Sequence, residues 1–204
     1  MIRRIFTIAV AALAAITLSS CGKENPENAS GLIGTWQNLK IDYVFNGKKI
    51  ASEDLSGVNY TTMTFGDDGY METIAEMEGE DTELPVSIPY YYSSKDKTLT
   101  FTFMVFKEVM TVEKLTASEL VLTLDYTRNA VLFGGSSVGE VVDTYKGVKI
   151  YQYEDDGISI GFCYKANGKV IPCDKLADED IDGTFTGDRN GYYDKTTAYF
   201  KRIR

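Results

Sequence analysis

Histidine is missing from all 204 residues of this sequence. A chain without histidine cannot form a Ser-His-Asp triad or a histidine-ligated zinc site, and it lacks the commonest general base. The sequence also contains no P-loop and no dinucleotide-binding fingerprint. We therefore expect a protein that is not an enzyme and that has a binding or structural role.

Long apolar runs are missing from most of the chain and occur only near its start. Arg3 and Arg4 precede an apolar run over residues 5–18, a pattern typical of a cleavable secretory signal. The run is shorter than the roughly 20 apolar residues that a transmembrane helix needs. We predict that residues 1–20 are a signal peptide.

Cysteine is scarce, with three copies, and the first of them follows the signal directly. The sequence Leu-Ser-Ser-Cys at residues 18–21 resembles the lipobox of bacterial lipoproteins. The resemblance implies that Cys21 becomes an acylated amino terminus, which would make the lipid bilayer a partner of the protein. Gly22 in place of Asp favours an outer-membrane lipoprotein of the cell envelope, and it leaves periplasmic-facing and surface-facing placements open.

Basic residues are too few to balance the acidic ones. The chain has 21 Lys and Arg against 30 Asp and Glu. Removal of residues 1–20 takes away two basic residues and no acidic one, so the mature chain has 19 against 30, a charge of −11. This charge argues against nucleic acid as a partner, and it leaves the acyl chains as the main expected contact with anionic lipid.

Helical periodicity is also missing from the mature sequence. Short segments rich in Tyr, Phe, Val, Ile and Thr alternate with polar residues between turn signals, which indicates strands. The predicted strands are 35–45, 60–65, 70–76, 84–92, 98–106, 108–115 and 119–126. Many short consecutive strands predict an all-β fold, either an up-and-down antiparallel barrel or a sandwich.

Four motifs point to a known family. Gly-Thr-Trp at 34–36 resembles the G-x-W motif of the lipocalins, and the hairpin segments 63–69, 97–101 and 112–122 follow in the order of the lipocalin-like lipoproteins of Bacteroidetes. The resemblance implies a lipocalin-like barrel over residues 32–204, preceded by a flexible tether at 21–31. It also implies that Trp36 closes the barrel floor and that Lys201 or Arg202, from a closing strand at 197–203, covers the ring by a cation–π contact.

An insertion of about 70 residues, 127–196, departs from the family pattern and predicts a small β lobe before the closing strand. Its predicted strands are 148–153, 158–164 and 169–171, and residues 133–137 indicate a joint. Cys163 and Cys173 flank a turn signal at Asn167-Gly168. An odd-length loop would place the two cysteines opposite each other, and a two-residue turn would leave them one register apart. We expect a disulfide, because an exported protein is oxidised.

Aromatic residues supply the candidate ligand site. Alternation places Tyr90 and Tyr92 on one face, where they could line an apolar pocket together with Phe101, Phe103 and Tyr126. The alternative is that these rings simply fill the barrel as a packed core.

Acidic residues supply a candidate calcium site. Asp178, Asp180 and Asp182 precede Gly183 at the spacing of the first half of an EF-hand-type loop. Arg189 occupies the position where that loop needs a closing glutamate, so a solvated acidic turn is the alternative. No other cofactor is expected.

These observations leave two main hypotheses. The first is a membrane-anchored, non-enzymatic lipoprotein whose barrel binds a small apolar or amphipathic ligand. The second is a structural or interaction lipoprotein of the cell envelope, with a filled barrel, whose inserted lobe contacts a protein or a glycan. A weaker third hypothesis is an accessory module for glycans.

Overall fold

The computed structural model describes residues 31–58, 62–76, 83–103, 106–129, 137–155 and 158–204. The predicted signal peptide, Cys21 and most of the predicted joint at 133–137 lie outside the described residues. The strands are β1 (Gly34–Phe45), β2 (Lys48–Asp54), β3 (Thr62–Phe65), β4 (Tyr70–Glu76), β5 (Glu83–Ser93), β6 (Thr98–Phe103), β7 (Phe106–Leu115), β8 (Glu119–Asp125), β9 (Ser137–Tyr145), β10 (Val148–Asp155), β11 (Ile158–Ala166), β12 (Lys169–Lys175), β13 (Thr184–Gly187), β14 (Tyr192–Tyr193) and β15 (Lys195–Arg202). Two short helical segments are α1 (Tyr126–Asn129) and a 3-10 turn (Asp178–Asp180).

Eight strands close an antiparallel barrel in the order β1-β15-β8-β7-β6-β5-β4-β3, and β3 pairs back with β1. Each of these strands lies beside its neighbour in sequence except β15, which follows the insertion and fits between β1 and β8. The predicted fold, an antiparallel barrel with a β lobe inserted before the closing strand, is confirmed. The closing strand begins at Lys195, two residues earlier than predicted.

Strand β1 is long enough to pair with two different strands on the same side. Its first half pairs with β3 in the barrel, and its second half pairs with β2. Strand β13, from the predicted insertion, adds to the free side of β2. The β1 half beyond Lys40, β2, β13 and the start of β15 therefore form an extension of the barrel wall, which we call the extension.

The remaining strands form a second sheet in the order β14-β12-β11-β10-β9. This sheet packs on the inner face of the extension, where Phe45 approaches Tyr164 at 4.8 Å and Tyr43 approaches Tyr193 at 5.2 Å between ring centroids. Ala198 contacts both the barrel core and this second core. The two cores are therefore continuous, and the lobe is docked on the end of β1 that lies away from Trp36.

Candidate functional site

Trp36, the only tryptophan of the chain, is buried at the floor of the barrel. The guanidinium of Arg202 lies 4.5 Å from the centroid of the Trp36 ring system. The same guanidinium donates hydrogen bonds to the carbonyl oxygens of Ile33, at 3.0 Å, and Gly31. Of the two residues that the resemblance offered, the structure places Arg202 over the indole ring, whereas Lys201 is exposed.

The described side chains pack the part of the barrel interior next to Trp36. Tyr90 and Phe101 are cross-strand partners, both are buried, and their ring centroids lie 5.0 and 6.3 Å from that of Phe65. The Tyr90 hydroxyl donates a 2.7 Å hydrogen bond to the carbonyl oxygen of Gly66. The buried core around them includes Leu32, Trp36, Met63, Met71, Ile88, Leu99, Met110, Val112, Leu120, Leu122, Leu124 and Phe200. Tyr90 and Phe101 therefore belong to a packed core.

The other predicted pocket residues have different surroundings. Tyr92 is partly buried against the barrel core. Tyr126 contacts both cores, and its ring centroid lies 5.7 Å from that of Tyr193 in the second sheet. Phe103 ends β6, and the prediction for its side chain lies outside the described structure. The structure therefore brings Tyr90 and Phe101 together and directs Tyr126 partly towards the lobe.

Glu108 is a carboxyl group on the inner face of the barrel. It pairs across the strands with Phe101 and stands two residues before the core residue Met110, so its side chain shares their face. Its Oε1 atom is buried and has no hydrogen-bond partner among the described residues. Burial raises the pKa of Glu108 from 4.5 to about 8, so the carboxyl is mostly protonated at neutral pH. Sequence reasoning missed it, although strict alternation before Met110 would have found it.

Tyrosine hydroxyls paired with carboxylates join the parts of the molecule. Among the described residues, six such hydrogen bonds are Tyr43 to Glu53 (2.8 Å), Tyr145 to Asp188 (2.8 Å), Tyr192 to Asp143 (3.1 Å), Tyr193 to Asp174 (3.2 Å), Tyr199 to Asp42 (3.1 Å) and Tyr164 to Asp194. The two residues of each pair are between 10 and 157 positions apart in sequence. No local sequence motif therefore predicts these hydrogen bonds. Much of the acidic excess thus stabilises the fold.

The carboxylates of Glu53 and Asp42 each accept further hydrogen bonds besides the one from a tyrosine hydroxyl. Glu53 is buried and also accepts backbone N–H groups from Asp182 at 2.6 Å and Gly183 at 2.9 Å. Burial would raise the pKa of Asp42, but hydrogen bonds from Ser52, Lys49 and Lys40 outweigh it and lower that pKa to about 2. Both carboxylates are therefore occupied by the protein's own donors.

The predicted disulfide is wrong: Cys163 and Cys173 are free, buried thiols. Asn167 and Gly168 have positive φ angles of 50° and 73° and form a two-residue turn between paired Ala166 and Lys169. In this register Cys163 pairs with Pro172, so Cys163 and Cys173 point to opposite faces of the sheet. Burial raises the pKa of Cys163 to about 11 and that of Cys173 further, so both thiols stay protonated at neutral pH.

The predicted calcium loop does not form. Asp178 begins a 3-10 turn and pairs with Arg189 at 3.3 Å, and the backbone N–H of Asp182 is bound by Glu53. Within the described part of the chain, no three Asp, Glu or Cys residues are grouped closely enough to hold a metal ion. The reason is that Gly183 leads directly into β13 and packs against the backbone of Asp54, so the segment cannot wrap around an ion.

A shallow polar groove of about 590 Å³ lies on the extension. Its lining residues are Leu39, Lys40, Lys49, Ser52, Asp54, Ser56, Thr184 and Thr186. Lys40 and Lys49 form ion pairs of 3.0 and 2.9 Å with Asp42, which reduces the positive charge that the groove can offer.

The outer face of the second sheet carries apolar side chains with no sheet above them in the described structure. The outer face is defined by Val141, Tyr151, Cys163, Val170 and Pro172, which are connected by cross-strand pairing or lie two positions apart on one strand. Cys163 and Pro172 are buried on this face, and its exposed aliphatic side chains are Val141 and Val170. Val141 and Val170 are 49% and 42% exposed. The edge strand β9 pairs with β10, and no described strand pairs with its other side. Among the described residues of the lobe, the exposed large aliphatic side chains are Val141, Val142 and Val170.

Within the described ranges, no helix has the length and hydropathy to cross a membrane. In the comparisons with known proteins, no protein-family model, no curated protein and no solved structure matches this chain.

Proposed function

We propose that the mature chain is a non-enzymatic, lipid-anchored lipoprotein of the bacterial cell envelope that binds another envelope protein through its second sheet. One observation carries this proposal. The described residues pack the lower part of the barrel interior, whereas the second sheet exposes Val141 and Val170 on its outer face and ends at β9, whose other side pairs with no described strand. A contiguous exposed apolar surface can mark a protein interaction site, and the edge of a sheet can pair with a strand of another chain.

The packed interior supports a scaffold role for the barrel. A drug-sized ligand needs a cavity of roughly 300 Å³ or more. Trp36, Phe65, Leu99 and Phe101 are each 1% exposed or less and occupy the lower part of the interior themselves. The barrel then supplies rigidity, and the binding surface lies on the lobe.

The free edge of β9 supports a protein partner over a glycan. An edge strand presents a row of backbone N–H and C=O groups at the spacing of another extended peptide, which sugars do not match. Val141 and Val142, 49% and 47% exposed, supply apolar contacts beside that edge, and Glu140 and Asp143 favour a neutral or basic partner strand.

Charged substitutions on β9 test this proposal. The double variant Val141→Lys/Val142→Lys places two charges on the edge, and Pro85→Lys/Ser87→Lys places two on the exposed barrel wall as the matched control. Both are expressed in full length and purified from membranes with quantitative analysis of co-purifying proteins. We expect one partner to fall about tenfold or more with the β9 variant alone, corresponding to about 1.4 kcal/mol of lost binding. Equal recovery of all proteins with both variants would contradict the proposal.

Glu108 favours a second function, the binding of a small amphipathic molecule within the barrel. A protonated carboxyl whose buried Oε1 atom has no hydrogen-bond partner among the described residues can donate to and accept from the polar head of a ligand, such as an amine or an alcohol. A fluorescent alkylamine tests it: wild type should bind the probe, and Glu108→Leu should bind it about tenfold more weakly. Lack of binding by the wild type would dispose of this second function.

A further inference from the structure

The closed end of the barrel has a rim that surrounds Trp36. Because the strands alternate in direction, the turns after β3, β5 and β7 and the end of β15 all lie at this end. We define the rim as residues 66–70, 93–97, 115–119 and 201–204. A hydrogen bond from the Arg202 backbone N–H to the Ser118 carbonyl, at 3.0 Å, joins two of these segments.

The chain that leads back to Cys21 leaves the fold at this rim. The Arg202 guanidinium binds the carbonyl oxygens of Gly31 and Ile33 and stacks on Trp36. Gly31 also lies against the Leu115 side chain. Gly31 and Cys21 are ten positions apart in the sequence, so the chain from one to the other reaches at most about 35 Å even when fully extended.

The rim and the wall just above it expose apolar and aromatic side chains. Tyr70, Tyr91 and Ile203 are 38%, 48% and 47% exposed. Tyr70 pairs with Pro89, two residues before Tyr91, so both rings lie on the outer wall near the rim. Tyrosine is enriched where proteins meet the headgroup region of a bilayer, because its ring is apolar and its hydroxyl is polar.

The side chains of the rim do not share the net negative charge of the rest of the molecule. Its basic side chains are Lys95, Lys97, Lys201, Arg202 and Arg204, and its acidic side chains are Asp67, Asp68, Asp96 and Glu119. Five against four give a side-chain charge of +1, while the chain after residue 20 carries −11. An anionic lipid surface therefore repels the remainder of the molecule and tolerates the rim.

We propose that the closed end of the barrel rests on the lipid surface, with Tyr70, Tyr91 and Ile203 in the headgroup region and the second sheet directed away from the membrane. The inference rests on the proposed acyl anchor at Cys21. The second sheet exposes Val141 and Val170 as well, but β15 alone places about 25 Å of strand between Tyr193 of that sheet and the rim. The anchor reaches the rim at any extension, whereas contact of the lobe with the membrane would require the chain from Gly31 to Cys21 to extend back along the whole length of β15 as well.

Lipid-borne quenching of a fluorophore measures this orientation. Full-length acylated protein is reconstituted into vesicles of phosphatidylethanolamine with a minor fraction of phosphatidylglycerol and a headgroup-attached nitroxide. An environment-sensitive dye is attached through Ser118→Cys in the rim or through Val170→Cys on the outer face. The native thiols Cys163 and Cys173 are buried and should not react in the folded protein.

We expect the nitroxide to quench the emission of the dye at position 118. The dye at position 170 should show no quenching above background. The variant Tyr70→Ser/Tyr91→Ser/Ile203→Ser should reduce the quenching at 118, and the matched Val141→Ser/Val142→Ser should leave it unchanged. Equal quenching at 118 and 170 would overturn the orientation. Protein that does not float with the vesicles would instead overturn the proposed anchor, which separates the two failures.

Discussion

Arg202 shows how one side chain can hold several parts of a barrel together. It stacks on Trp36, binds the carbonyl oxygens of Gly31 and Ile33, and belongs to the last strand of the fold. Its charge-assisted hydrogen bonds satisfy backbone groups at the point where the chain enters β1. The floor of the barrel therefore depends on the C-terminal strand being in place.

We predict that Arg202→Met lowers the free energy of unfolding by about 2 kcal/mol, through loss of the cation–π contact and two hydrogen bonds. The neighbouring Lys201→Met is the control and should change it by less than about 0.5 kcal/mol, because Lys201 is exposed. Urea unfolding followed by the fluorescence of Trp36 measures both. Equal effects of the two variants would contradict the role assigned to Arg202.

The raised pKa of Glu108 should make the stability of the folded protein depend on pH. Burial raises its pKa from 4.5 to about 8 in the folded protein. Between these values the folded state binds more protons than the unfolded state, so this contribution to stability is complete below pH 4.5 and is lost as the pH rises through 8. Glu108→Gln should remove that decline, and Glu119→Gln, at an exposed position, should retain it. Thermal melts between pH 5 and 8 check this, and a parallel decline in all three proteins would refute it.

Some of these residues could be predicted from sequence and others could not. The resemblance to the lipocalins offered Trp36 for the barrel floor and either Lys201 or Arg202 as the cation above it, and only the structure distinguishes Arg202 from Lys201. The shared inner face of Tyr90 and Phe101 is consistent with alternation, but alternation does not distinguish a packed core from a pocket. Only the packing around Phe65 settles that question for these two rings.

At the scale of elements, the contact between the lobe and the extension depends on tyrosine–carboxylate pairs as well as on stacked rings. Tyr164 donates to Asp194, whose carboxylate also accepts the Asn46 backbone N–H at 2.8 Å. Asp194 is buried and directly precedes β15. The Tyr164–Asp194 pair therefore connects β11 of the second sheet with the turn between β1 and β2 and with the start of the closing strand β15.

We expect Tyr164→Phe to destabilise the protein by about 1–3 kcal/mol, because it leaves the buried Asp194 carboxylate with fewer donors. Tyr199→Phe removes the same group from Asp42, which keeps Ser52, Lys40 and Lys49, and should cost less than about 1 kcal/mol. Chemical denaturation of the two variants gives the comparison. A larger loss for Tyr199→Phe would show that the interface is not held in this way.

The β11–β12 hairpin gives a chemical prediction. Because Cys163 and Cys173 are one position out of register, protein purified without reductant should contain two free thiols. After denaturation, maleimide treatment should add two labels by mass. A protein that takes up no label, with a mass two hydrogens lower, would show that the hairpin has a different register.

Elements with regular alternation were predicted well, and elements without it were missed. The predicted strands of the barrel wall agree with β1 and β3 to β8 to within about two residues at most of their ends. Strands β2 and β13 are short and polar, and β9 contains consecutive valines and irregular pairing with β10. A bulge shifts the side-chain period, so alternation no longer identifies the strand.

At the scale of the whole molecule, the two sheets share one continuous core although they come from interleaved parts of the sequence. The insertion contributes β13 to the extension and the other strands to the lobe. Residues such as Tyr126 and Ala198 contact both cores. The sequence predicted a β lobe before the closing strand, but the docking of the lobe depends on contacts between distant segments that have no sequence signature.

The central proposal is an acyl-anchored scaffold whose barrel holds no ligand and packs its lower interior with its own side chains. Native mass spectrometry of the protein extracted from its own membrane tests it most directly. The account predicts the mass of residues 21–204 plus two or three acyl chains, with no small molecule retained after gentle release from detergent. A mass that includes residues 1–20, an unacylated Cys21, or a stoichiometric small ligand in the barrel would contradict it.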